Sequence, residues 1–137
     1  MKVVLDTNIL ISALISKSYP SKILEAIFKT PSIELCLSEE IFREYAEVLA
    51  RPKFSRFNDF YHHALIVLHQ IKRIAVFYNP KRSVDILEDK SDNKFLELCL
   101  ECKANILVTG NFNDFNISKF RNTQILSPKE FYLKLSN

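Results

Sequence analysis

The chain has 137 residues, 47% of them hydrophobic, which suits one domain (1–137) with a real core. A formal net charge of +3 is too small to mark a nucleic-acid partner by itself. No apolar run approaches the roughly 18 residues of a membrane span, and a single glycine, Gly110, excludes a Gly-rich phosphate loop.

The chain opens with a short apolar run, Val3, Val4 and Leu5, that stops at Asp6, Thr7 and Asn8 and restarts at Ile9, Leu10 and Ile11. This reads as a buried strand turning into a helix over 9–15. The polar trio then stands at the carboxyl end of a strand, the edge where open α/β sheets bind ligands. Helix capping is the competing reading of Asp6, because Asp and Asn satisfy free N–H groups at helix starts. Residues 16–20 break the helix, and 21–29 carry a second one with Ile23, Leu24, Ile27 and Phe28 on one face. After a turn at 30–32, residues 33–37 read as the second strand.

Ser38 is a suitable N-cap for a third helix over 39–50, which ends before Pro52. Its apolar positions are Ile41, Tyr45, Val48 and Leu49. Glu44 falls on their side or at its boundary, where an acid is costly without a partner. An ion pair at the boundary is the plain alternative. Residues 51–56, RPKFSR, form a basic loop, and 59–74 a further helix. That helix carries His62, His63 and His69, taken as surface or boundary residues. Residues 75–78 form a short strand or link.

Residues 79–90 read as a loop and 92–104 as a strongly apolar helix with Ser91 or Asp92 as its N-cap. The strand 105–108 then ends at Thr109, Gly110 and Asn111. Asp114 follows, in what reads as a short helical turn at 112–115. The last strand is 123–126, and Pro128 begins a terminal helix. Cys36, Cys99 and Cys102 lie in apolar surroundings. The C-x-x-C pair falls late in a helix without a second ligand pair, so buried thiols are expected. Helices alternating with short apolar strands predict an α/β fold, a mostly parallel sheet covered on both faces.

The acids now form a set. Asp6 and the segment to Asp114 follow strands, Glu44 sits on a helix after strand two, and Asp92 opens the helix that feeds the next strand. Carboxylates converging at one sheet edge require a cation. Oxygen donors without His or Cys select a hard ion, Mg²⁺ or Mn²⁺, and such a site serves phosphodiester hydrolysis.

The segments VVLDTNILISAL (3–14), SEEIFREYAEVLARPKF (38–54), EDKSDNKFLELCLECKANILVTGN (88–111) and DF (114–115) together resemble the PIN-domain family. Within it, they are most similar to the toxin components of bacterial and archaeal toxin–antitoxin systems. The resemblance covers nearly the whole chain. It implies a three-layer α/β/α sandwich and a metal-dependent endoribonuclease that hydrolyses RNA in the cytoplasm. By position it makes Asp6, Glu44, Asp92 and Asp114 the metal ligands and catalytic acids, with Mg²⁺ or Mn²⁺ as cofactor. Asn8, Thr109 and Asn111 become supporting residues. Asn111 stands where many relatives carry an acid, which removes a negative charge from the site. An antitoxin protein and a homodimer are the partners implied, and no membrane.

RNA contact is assigned to Arg51, Lys53 and Arg56, with Lys81 and Arg82, as phosphate binders and to Phe54 as a base-stacking ring. A solvated basic surface explains the same charges. The alternative function is a PIN-like module that binds RNA or protein and cleaves poorly. A phosphatase wants a second Asp where Asn8 stands, and a receiver domain wants an acidic neighbour that Asp6 lacks.

Overall fold

The computed structural model describes residues 1–111 and 115–136. At its centre β1 (Lys2–Leu5) pairs in parallel with β2 (Glu34–Leu37) on one side and β4 (Ile106–Val108) on the other. β3 (Val76–Phe77) extends the sheet beyond β2, and β6 (Thr123–Leu126) extends it beyond β4, both parallel. β5 (Lys119–Phe120) folds back antiparallel on β6, giving the order β3-β2-β1-β4-β6-β5.

Val3, Val4 and Leu5 are wholly buried although successive side chains point to opposite faces. Both faces of β1 are therefore covered, as a continuous apolar run requires. The cover comes from α1 (Thr7–Ile15), α2 (Tyr19–Lys29), α3 (Glu39–Leu49), α4 (Phe60–Ile74), α5 (Asn93–Cys102) and α6 (Pro128–Leu135). α5 lies on β1 and β2, α6 on β6 and α2, and α1 meets α2, α3 and α4. The result is the expected three-layer α/β/α arrangement around a mostly parallel sheet.

Two details of the fold position the polar residues. Asp6 N–H donates to the Val108 carbonyl (2.9 Å) and Thr109 N–H to the Leu126 carbonyl (3.0 Å). The pairing thus continues just past the strands and sets Asp6 beside Thr109. Helix starts follow directly on strand ends. Asp6 is the N-cap of α1, and Ser38 caps α3 by accepting from Ile41 N–H (3.2 Å).

Two features differ from the sequence reading, and a third is a detail it did not contain. α2 begins at Tyr19, because proline at the first turn lacks only an N–H that has no helical partner there. The two-residue β5 carries too little pattern to be seen in sequence. The 79–90 loop is tied down by α5: Lys81 N–H donates to Glu101, Val84 N–H to Glu97, and Ile86 and Leu87 N–H to Asn93 Oδ1. The expected helical turn at 112–115, with Asp114, falls mostly outside the described residues. The three cysteines are free and buried. Among the described residues no helix is long and apolar enough to cross a membrane.

Candidate active site

Asp6 is 6% exposed, and its carboxylate gathers groups from two strand ends. Oδ1 accepts from Thr7 N–H (2.8 Å). Oδ2 accepts from the Thr109 hydroxyl (2.7 Å) and from Asn8 Nδ2 (3.2 Å). Asn8 Oδ1 in turn accepts from Gly110 N–H (3.3 Å), and Thr109 Oγ1 accepts from Asn111 N–H (3.0 Å). Asp6 therefore caps its helix with one oxygen and presents the other to β4. Capping and a functional role are compatible at this residue.

Thr7 links the first acid to the second. While its N–H holds Asp6, its hydroxyl donates to Glu44 Oε2 across from α3. Glu44 lies at the boundary, its side chain 24% exposed. Its other oxygen, Oε1, is 2.5 Å from Lys94 Nζ on α5, so the plain expectation of an ion pair at this position is realised too. The position of α3 is fixed from beneath by Tyr45, fully buried, whose hydroxyl donates to the Leu5 carbonyl (2.5 Å). Burial, and next the charges of Asp6 and Glu44, push the Tyr45 hydroxyl well above the usual phenol range.

Asp92 closes a 3₁₀ turn whose cap is Asp89, which accepts from Ser91 N–H (3.0 Å). It occupies the N-cap position of α5, but its side chain accepts no cap hydrogen bond. It stands two residues before Lys94. Among the described residues, no three His, Cys, Asp or Glu side chains gather as a metal group. Asp6 and Glu44 come together through Thr7, Asp92 does not complete a trio, and Asp114 lies outside the described residues. Lys94 supplies positive charge beside Glu44. In kind the donors still fit a hard cation: carboxylate, hydroxyl and amide oxygens, without His or Cys.

The basic loop differs from the sequence reading in a second way. Phe54 is 8% exposed with its ring stacked on Phe60 at 4.9 Å, so it belongs to the core and offers no face to a base. Arg51 pairs with Glu47 (3.1 Å) one turn back on α3. Lys53 and Arg56 remain on the surface, over the rings of Phe54 and Phe57. Sequence reasoning missed Thr7 as a link, Tyr45 and Lys94. Only Tyr45 carried a signal, as a large polar-tipped residue on the apolar side of α3.

These features define an α/β protein with linked acids at the carboxyl edge of a parallel sheet. The PIN domain family profile matches residues 2–113, and the chain belongs to that family, whose members are generally nucleases. The uncharacterized protein MJ1680 of Methanocaldococcus jannaschii is 31% identical over 138 residues, covering 100% of this chain and 82% of that protein. The crystal structure of VapBC2 from Rickettsia felis bound to a DNA fragment from their promoter shares the fold. The two superpose with a TM-score of 0.58 at 16% identity, over 93% of this chain and 98% of the other.

Proposed function

We propose that this chain is a metal-dependent endoribonuclease acting in the cytoplasm, the toxin of a toxin–antitoxin pair. The observation that carries the reading is the Asp6–Thr7–Glu44 link at the carboxyl edge of β1, with Thr109, just past β4, on the same carboxylate. Family membership supports a nuclease, and the likeness to VapBC2 adds the toxin–antitoxin setting. Asp6, Glu44, Asp92 and Asp114 would hold Mg²⁺ or Mn²⁺. Such an ion, when bound, lowers the pKa of water and offsets charge on the phosphate.

The chain's own residues do the positioning. Thr109 and Asn8 fix the Asp6 carboxylate, and Thr7 sets its distance to Glu44. Lys94 balances the charge of Glu44, which would otherwise be free to take a metal. Lys53 and Arg56 are left as surface contacts for phosphate. An antitoxin and a second copy of the chain are the proposed protein partners.

Two observations favour a second reading, a module that binds RNA or protein and cleaves poorly. Asn111 lacks the charge of an acid, and Lys94 competes for Glu44. Cleavage of a mixed RNA pool with Mg²⁺ or Mn²⁺ separates the two. The nuclease predicts cleavage that disappears with a chelator and in Asp6→Asn and Asp92→Asn. Absence of metal-dependent cleavage in the wild type, with RNA binding retained, selects the module.

A further inference from the structure

A cleft of about 720 Å³ lies away from the acids. It lies at the opposite edge of the sheet, where Ala104 leads into β4, and falls within the size range of small-ligand sites. Three segments wall it: the C-terminal turn of α5, the β5–β6 turn and the 79–90 loop. Each contributes a cation, respectively Lys103, Arg121 and Arg82. Among the described residues no acid lies within ion-pair distance of any of the three. Glu97 and Glu101 also line the cleft, but their carboxylates accept from the Val84 and Lys81 N–H groups and hold the loop.

Backbone conformation singles out two of these cations. Lys103 (φ 56°) and Arg121 (φ 55°) are in the left-handed region. Lys103 ends α5 and Arg121 turns the β5–β6 hairpin, places usually given to Gly, Asn or Asp. A side chain there costs about 1 kcal/mol or more. Two strained basic residues therefore face one cleft where glycine would have cost less. Leu100 and Ala104 add apolar surface to the cleft.

We propose that this cleft binds a nucleotide unit, free or within an RNA strand, with its phosphate among Arg82, Lys103 and Arg121 and its base against Leu100. The site is separate from the acids. Lys103 lies nine residues beyond Lys94, about 14 Å along the helix axis. It does not depend on cleavage at Asp6.

The test is titration of the whole chain, in EDTA, with a nucleoside monophosphate, a six-nucleotide RNA and inorganic phosphate. The comparison is Lys103→Gly/Arg121→Gly, which removes both charges while suiting the backbone, so its melting temperature should hold or rise. Monophosphate binding weakened about tenfold or more in the variant supports a free-nucleotide site. RNA binding alone weakened in that way supports a strand site. Equal binding by wild type and variant overturns the proposal, as does no binding of either nucleotide form. Inorganic phosphate that binds as tightly as the nucleotides overturns it too.

Discussion

Thr7 holds two acids with one residue: its N–H donates to Asp6 and its hydroxyl to Glu44. Both groups lie between the end of β1 and the face of α3, so the spacing of the two carboxylates depends on this side chain. Thr7 is 7% exposed, and the loss of its hydroxyl leaves Glu44 without a donor from α1. Thr7→Val is expected to cost about 1–2 kcal/mol in urea unfolding and to lower RNA cleavage by about tenfold. Thr7→Ser keeps the hydroxyl and should restore cleavage. Equal activity of the Val and Ser variants would remove Thr7 from the site.

Lys94 pairs with the carboxylate that the proposed divalent cation would take. The pair is partly buried, at 16% and 24% side-chain exposure, so removing the lysine leaves Glu44 with uncompensated charge. Lys94→Met is expected to lose roughly 1–2 kcal/mol of stability without metal. Added Mn²⁺ should then raise its melting temperature by more than it raises the wild type's, because binding to the folded state stabilises it. An equal or smaller rise in the variant would show that Lys94 does not compete.

Tyr45 predicts how stability behaves at high pH. Burial first, then Asp6 and Glu44, hold its folded-state pKa above the phenol value of about 10. The unfolded chain therefore loses this proton first as pH rises. The neutral hydroxyl's contribution is full below about pH 10 and falls away as pH climbs through the folded-state pKa. Tyr78, raised chiefly by its hydrogen bond to Glu34, adds to the same fall. The urea midpoint should drop above pH 10, and Tyr45→Phe should flatten part of that drop. The variant should also lose about 1 kcal/mol at neutral pH, because the Leu5 carbonyl loses its donor. A pH profile unchanged by Tyr45→Phe contradicts this account.

Phe54 is expected to act through stability alone. Its ring stacks on Phe60 within the core, so Phe54→Ala should cost about 3 kcal/mol in unfolding free energy. RNA affinity per folded molecule, measured well below the melting temperature, should stay as it was. A folded variant with sharply weaker RNA binding would return the ring to the substrate surface.

The parts legible in sequence were those written in local pattern. The apolar run at 3–5 and the polar trio after it located β1, α1 and Asp6, and the spacing along α3 put Glu44 at its boundary. What stayed hidden depends on pairing between distant segments. Lys94 looks like any first-turn lysine until α5 sets it against α3, 50 positions back in the chain from Lys94 to Glu44. Phe54 sits in a basic stretch whose charges suggest RNA, yet burial of its ring against Phe60 decides its place.

Whether the Asp6–Glu44 pair takes up a divalent cation is measured most directly by titrating Mn²⁺ into the wild type and Asp6→Asn. Asparagine still caps the helix but takes from Thr109 and Asn8 the oxygen they donate to, so the variant should melt somewhat below the wild type, and binding is compared well below both melting temperatures. The account predicts saturable Mn²⁺ binding to the wild type, weaker by about tenfold or more in the variant. Binding of equal strength in both proteins, or none in the wild type, would contradict it.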